Sequence, residues 1–249
     1  MATRSLIEWT ESTWNPVTGC TKISDGCLNC YAERMAKRLA GRYGYPKDRP
    51  FRVTLHPNRL NQPLRWKGRH VIFVCSMSDL FHDAVPDDYI FQILKIIKLC
   101  PQHTFQILTK RAERMYEISR SVGAWPENAW LGVTVESAKY ASRVDYLRQI
   151  DAAVRFISFE PLLGDVMDVN LEGVDWVIVG GESGPRSRPM RAEWATRIRD
   201  KCLQNNIAYF FKQWGGFNKK AAGRRLEGKE WNQMPDLTIQ DFAGSCVLA

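Results

Sequence analysis

The 249-residue chain has only four histidines, His56, His70, His82 and His103, and none stands at a metal-ligand spacing from another. His82, between Asp79 and Asp83, is the best histidine candidate for a site. No Walker loop, nucleophile elbow, zinc-protease helix or dinucleotide fingerprint occurs, which sets aside the chemistries those motifs serve. The longest apolar runs, such as 176–179, fall far short of the roughly 20 residues a membrane helix needs. Residues 1–9 have no apolar signal core. Low-complexity tracts and heptad repeats are also missing, which argues against disorder away from the ends. The expectation is a soluble, cytoplasmic protein with no membrane partner.

What is there is a basic chain with a core. Hydrophobic residues make up 45%, charged residues 25%, and the net charge is +8. That surplus attracts polyanions, nucleic acid among them. The length suits one large domain or two small ones. The recognisable pattern points to one domain over 1–235, followed by a tail, 236–249, with no assignable role.

Seven cysteines occur, and three of them, Cys20, Cys27 and Cys30, lie within eleven residues as C-x6-C-x2-C. In a reducing compartment such thiols stay reduced or bind metal. A structural zinc takes four closed ligands, whereas this loop supplies three. Three thiolates fit a [4Fe–4S] cluster with one iron left free for a small molecule. Cys75, Cys100 and Cys202 read as buried small hydrophobes, and Cys246 stands apart near the end.

After the cysteine loop a rhythm sets in. Apolar runs at 71–75, 104–108, 130–135, 154–159, 176–179 and 208–211, with a weaker one at 51–55, each end in polar or charged residues. Continuous runs of this length suit strands buried on both faces of a parallel sheet. Between them, 87–99, 112–121, 138–150 and 191–205 carry apolar residues at helical spacing. A further short strand falls near 13–18. The fold class is therefore α/β, a (β/α)8-like or incomplete parallel barrel with an amino-terminal cysteine loop; a doubly wound open sheet is the alternative. In either topology sites form at the carboxyl ends of strands. Those ends carry Asp79, Lys110, Glu136, Glu160, Glu182 and Lys212, which the rule gathers at one mouth. Gly180 and Gly181 leave room for a ligand to approach the backbone, or make a tight turn. Arg186 and Arg188, on the loop that follows, are candidates for holding a phosphate-bearing substrate. Lys219, Lys220, Arg224 and Arg225 would extend that positive surface.

The segments Trp14-Asn15-Pro16-Val17-Thr18-Gly19-Cys20 and Cys27-Leu28-Asn29-Cys30-Tyr31-Ala32-Glu33-Arg34 resemble the phage-associated three-cysteine-motif protein family. So do Phe159-Glu160-Pro161-Leu162-Leu163-Gly164, Val179-Gly180-Gly181-Glu182-Ser183-Gly184 and Lys212-Gln213-Trp214-Gly215-Gly216. The resemblance covers residues 6–235, and the family looks like a divergent branch of the radical S-adenosylmethionine superfamily. It implies that Cys20, Cys27 and Cys30 bind a [4Fe–4S] cluster whose open iron chelates S-adenosylmethionine. One electron from an external donor then yields a 5′-deoxyadenosyl radical for hydrogen abstraction. The strand-end residues Glu182, Glu160, Glu136, Asp79 and Lys212, with Gly180 and Gly181, are by their position the candidate cofactor contacts, and Trp14, within the first motif segment, is a candidate for stacking on a base or adenine. The chain departs from the superfamily's usual C-x3-C-x2-C. Its first gap is three residues longer, and the loop must bulge, at Gly19 and Gly26. The position before the third cysteine, commonly aromatic beside adenine, is Asn29. The net charge and the arginine loop at Arg186 and Arg188 point to DNA, RNA or a nucleotide as substrate. The competing reading is a zinc-stabilised nucleic-acid-binding module without catalysis.

Overall fold

The computed structural model describes residues 3–235. Its elements run β1 (Thr3–Arg4), β2 (Ser12–Trp14), β3 (Val17–Thr18), α1 (Tyr31–Arg38), β4 (Thr54–Leu55), β5 (Val71–Val74), α2 (Asp87–Lys98), β6 (Thr104–Thr109), α3 (Ala112–Val122), β7 (Ala129–Thr134), α4 (Ser142–Arg148), β8 (Arg155–Phe159), β9 (Trp176–Gly180), α5 (Ala192–Gln204) and β10 (Ala208–Gln213). The main sheet has the order β1-β2-β5-β6-β7-β8-β9-β10. Every pairing from β2 to β10 is parallel, and β1 lies antiparallel on the edge. Seven parallel strands thus form a curled half-barrel, the incomplete form of the expected barrel.

Burial on both faces explains why these strands read as unbroken apolar runs. The outer face (Ile72, Val74, Phe105, Ile107, Leu131, Val133, Ile157, Val177, Val179 and Phe211 among others) packs on α2, α3 and α5. The inner face carries Phe73, Trp130, Phe156, Trp176, Ile178 and Phe210, into which Trp9 inserts from the β1–β2 turn. Trp9 lies 4.7 Å from Phe73 and edge-on to Trp176 at 6.1 Å. Such pairs add about 0.5–1.5 kcal/mol each beyond area burial. These rings floor the amino end of the half-barrel and leave its carboxyl end for a cavity.

Gly132 makes that floor possible, since a Cβ there would stand 2.5 Å from the Phe156 ring. Phe156 is held against Trp9 and Trp176 and has no room to yield. Gly132→Ala is therefore expected to cost about 1–3 kcal/mol through overpacking, read as a lower urea midpoint.

Two expectations change. The run at 51–55 is not in the main sheet; only Thr54–Leu55 is strand, paired antiparallel with Val17–Thr18 in a separate two-stranded sheet. Its residues are half-buried except for the exposed Arg52, and its Phe51 and Arg52 carbonyls brace the cysteine loop instead. The segment 138–150 is helical only from Ser142 to Arg148, behind a short 3-10 turn at Ala138–Tyr140. The crossover from β8 to β9 contains no helix among the described residues. Residues 236–249, including Cys246, lie outside the described residues, as do the Lys219 and Lys220 side chains. No helix among the described residues is long and apolar enough to cross a membrane.

Candidate functional site

The cysteine loop is built onto the carboxyl rim of the sheet. Gly19 has φ +84°, and a Cβ there would fall 2.2 Å from the Arg52 carbonyl oxygen, so only glycine fits the expected bulge. The amide of Cys20 donates to the Phe51 carbonyl at 3.1 Å. Gly26 serves a different purpose from the one expected. Its backbone is not left-handed; a Cβ would stand 2.5 Å from the Glu136 carboxylate. Ser24 Oγ donates to that same carboxylate, and the Asp25 amide to Tyr140.

Cys20, Cys27 and Cys30 are free, half-buried thiols bordering one cavity of about 430 Å³. The cavity is also lined by Asp79, Lys110, Arg111, Glu160, Gly181, Glu182, Lys212 and Gln213, and below them by Thr134, Ser158, Leu108 and Phe73. The strand ends do converge on one mouth with the cysteines at its rim. A fourth thiol, Cys75, borders the wall but is only 3% exposed, and burial pushes it up to about 12. Cys100 and Cys202 are buried away from the cavity, as expected. Among the described residues, no three His, Cys, Asp or Glu side chains converge on a point where they could hold a single metal ion, as the ligands of one zinc would.

The electrostatics around the thiols are uneven. Burial and Asp79 push Cys20 up to about 11, against the pull of Arg111. Burial also opposes ionisation of Cys27, but nearby Lys110 and the Ser24 hydroxyl outweigh it and hold that thiol below its ordinary value. Arg111 is the central support. Its Nη1 donates to Cys20 Sγ at 3.5 Å and to Asp79 Oδ2 at 3.3 Å, and its Nη2 to Thr21 Oγ1 at 3.0 Å. Asp79 is fully engaged, accepting from Thr109 Oγ1 at 2.7 Å and from the Phe81, Lys110 and Arg111 donors. His82 Nδ1 accepts from the Ala84 amide, so Nε2 carries the proton and donates to Thr21 Oγ1. That histidine props the loop and has no free lone pair.

Glu136 is fully buried and does not border the cavity. It bridges Arg143 at 2.7 Å and Lys110 at 3.5 Å and acts as a platform under the loop. Glu160, by contrast, faces the cavity. Lys212 Nζ donates to its two oxygens at 2.7 and 2.9 Å, and Gln213 Nε2 to one of them at 2.9 Å. Glu182 receives Arg188 in a two-pronged pair, Nη2 to Oε1 at 2.5 Å and Nε to Oε2 at 2.9 Å, and Asn29 Nδ2 at 3.0 Å. Burial opposes charge on Glu182, but these donors hold its carboxyl below the usual range.

Several assignments made from sequence need correction. Arg188 is spent on Glu182 and on the Asp25 carbonyl at 2.9 Å, so it locks the β9 loop to the cysteine loop and is not free for phosphate. Arg186 is exposed; its carbonyl holds Asn29, and its guanidinium has no partner. Gly180 and Gly181 are needed for packing: a Cβ on Gly181 would stand 1.9 Å from the Trp214 carbonyl oxygen, where the ends of β9 and β10 interlock. Gly180 faces Gln213 and Glu160 and does not border the cavity. Trp14 is fully buried in the outer core, its Nε1 donating to the Arg59 carbonyl at 2.9 Å, out of reach of any cavity ligand. Trp214 also lies off the cavity, packed on Phe211. Arg224 is engaged with Asn232 and Glu230. Sequence reasoning missed Arg111, Asn29, Gln213 and Ser183 as cavity-lining residues; Arg111 sits one residue past a strand-end charge, where the same rule could have found it.

The parallel half-barrel, with a three-cysteine loop over its carboxyl mouth, has a fold like that of spore photoproduct lyase. The chain belongs to the family described as "Protein of unknown function (DUF5131)", matched over residues 4–235. No curated protein matches it. Among solved structures, a cysteine-to-alanine mutant of spore photoproduct lyase has a TM-score of 0.52 at 12% identity, covering 82% of this chain and 75% of that one. A cysteine-to-alanine mutant with dinucleoside spore photoproduct gives 0.50 at 12% identity, over 82% of this chain and 64% of that one. The lyase complexed with dinucleoside spore photoproduct gives 0.49 at 11% identity, and this chain spans 64% of its length.

Proposed function

We propose that the protein is an iron–sulfur enzyme of radical S-adenosylmethionine type acting on a nucleic acid or nucleotide, with an external electron donor. The observation that carries this reading is the set of three free thiols, Cys20, Cys27 and Cys30, around one cavity at the carboxyl end of a parallel half-barrel. The donor set fits a [4Fe–4S] cluster, because three thiolates leave one iron without a protein ligand. Held by these thiols and reduced by the external donor, such a cluster would supply the one electron that splits S-adenosylmethionine into methionine and a 5′-deoxyadenosyl radical, the species that would take a hydrogen atom from the substrate.

The chain's own residues have separable tasks in this reading. Arg111 orients Cys20 and, with Lys110, offsets thiolate charge at the rim. Asp79, Glu160, Gly181, Glu182 and Lys212 border the space a cofactor would fill. Of these, Lys212 and Glu160 form a pair open to the cavity, able to meet a carboxylate and an amino group respectively if the pair separates. The aromatic floor of Trp9 and Phe73 excludes water from below. A cavity of about 430 Å³ is of the size that small-molecule sites occupy.

The test is anaerobic reconstitution with iron and sulfide, then addition of S-adenosylmethionine and a reductant. 5′-Deoxyadenosine should form. A protein that is colourless, binds zinc and makes none would be the nucleic-acid-binding module instead. The support from Arg111 has its own test. Arg111→Gln should weaken iron retention against a chelator about 10- to 100-fold, the usual cost of losing a partner of a metal ligand, and should move the cluster's reduction potential. Unchanged retention and potential would remove Arg111 from the site.

A further inference from the structure

The positive charge is not spread over the molecule. Between Cys20 and Val71 the sequence holds twelve Lys and Arg against three Asp and Glu, a surplus of nine where the whole chain has +8. This stretch carries the cysteine loop, α1 and the excursion back to β5, and the rest of the chain is close to neutral. Arg42, Lys47, Arg49 and Arg52 are exposed, and none of their side chains has an ion pair or hydrogen-bond partner. In their midst Tyr43 is 75% exposed in a left-handed backbone, φ +51°. A non-glycine residue there is strained, and the Arg59 guanidinium fixes the turn by donating to the Tyr43 carbonyl.

This loop reaches the mouth. Phe51 lines the cavity, and the Arg52 carbonyl lies against Gly19. Arg59 also donates to the Asn15 carbonyl, at the carboxyl end of β2. On the cavity rim, Tyr31 is 51% exposed, and the unpaired Arg186 stands on the loop that Arg34 joins to α1 through the Ser183 carbonyl.

We infer that the loop carrying Arg42, Tyr43, Lys47, Arg49 and Arg52 is a landing surface for a single nucleic-acid strand, which it leads past Tyr31 to the cavity. Cations that track a backbone with an exposed ring between them match the way sequence-tolerant strand binding works, through phosphate neutralisation and base stacking. An acidic protein would use the same charges but has no need of a presented ring. The inference rests on the proposed function only for its destination; binding to the loop requires neither cluster nor cofactor.

The molecule supplies its own control. Arg65, Lys67 and Arg69 are equally exposed and unpaired but precede β5, at the amino end of the sheet. Binding of a labelled DNA or RNA dodecamer is measured by anisotropy between about 50 and 200 mM salt, a range over which phosphate contacts weaken steeply. Alanine at Arg42, Lys47 and Arg49 together should weaken binding at least tenfold at low salt. It should also lower the log–log salt slope by about 2, at roughly 0.7 per contact on a single strand. Alanine at Arg65, Lys67 and Arg69, the same charge change, should do little. Tyr43→Ala should lose about tenfold and Tyr43→Phe should not, as expected for a stacking ring. Equal losses from both triples, no binding to either strand, or tighter binding of polyglutamate than of nucleic acid with Tyr43→Ala neutral would each overturn the assignment. Strand binding without 5′-deoxyadenosine would keep the surface and lose the enzyme; the converse would lose only the surface.

Discussion

Cys27→Ala protein, reconstituted without oxygen, is expected to carry iron and sulfide only at background, with the loss of brown colour. Cys20→Ala and Cys30→Ala should behave alike, because two loop thiolates cannot anchor a cluster and the remaining thiol at the cavity, Cys75, is buried in its wall. Cys202→Ala should load normally, since its thiol lies on the buried face of α5, off the cavity. Cys75→Ala is the sharper control. Cys75 borders the same cavity, yet burial pushes its thiol up to about 12, and it belongs to the strand end and not to the loop. Normal iron in Cys27→Ala, or its loss in Cys75→Ala, would reassign the ligands.

The second large effect is expected at a residue that never meets the cavity. Glu136→Leu strips the partner from Arg143 and Lys110 and removes the carboxylate that receives Ser24. Breaking one side of a buried ion pair costs about 3–5 kcal/mol, because the remaining charge is stranded. The loss should appear as a lower urea midpoint and as faster proteolysis of the loop that Ser24 and Gly26 seat on Glu136. Glu136→Gln, which keeps an acceptor and the volume, should cost less. A wild-type midpoint in Glu136→Leu would mean the loop is held by its other contacts, the Phe51 and Met77 backbone bonds and the Arg111, Arg188 and Asn29 side chains, without Glu136.

The central strands were legible because a sheet buried on both faces leaves no polar alternation, and 104–109 or 176–180 can be little else. The run at 51–55 carries similar letters but is half-buried, and burial is set by neighbours that its own sequence does not contain. Charges at strand ends could be placed at the mouth by rule, and Asp79, Glu160, Glu182 and Lys212 are there. What each charge faces could not be placed. Arg188 and Glu182 are six residues apart, and their pairing depends on a loop path that only the interlocked Gly181 and Trp214 backbones fix. The same holds for Glu136, whose partners come from three separate segments. The cysteine spacing was the strongest signal, since ligand count and proximity are written directly in the chain.

The claim that the three thiols hold a cluster open to S-adenosylmethionine is tested most directly by electron paramagnetic resonance of the reduced, reconstituted protein with and without that cofactor. The account predicts a [4Fe–4S] signal whose g values and line shape change when S-adenosylmethionine is added, and do not change with adenosine, which lacks the amino-acid end that would chelate the open iron, at equal concentration. A [4Fe–4S] signal indifferent to S-adenosylmethionine, or a protein that takes up zinc and gives no iron signal, would contradict it.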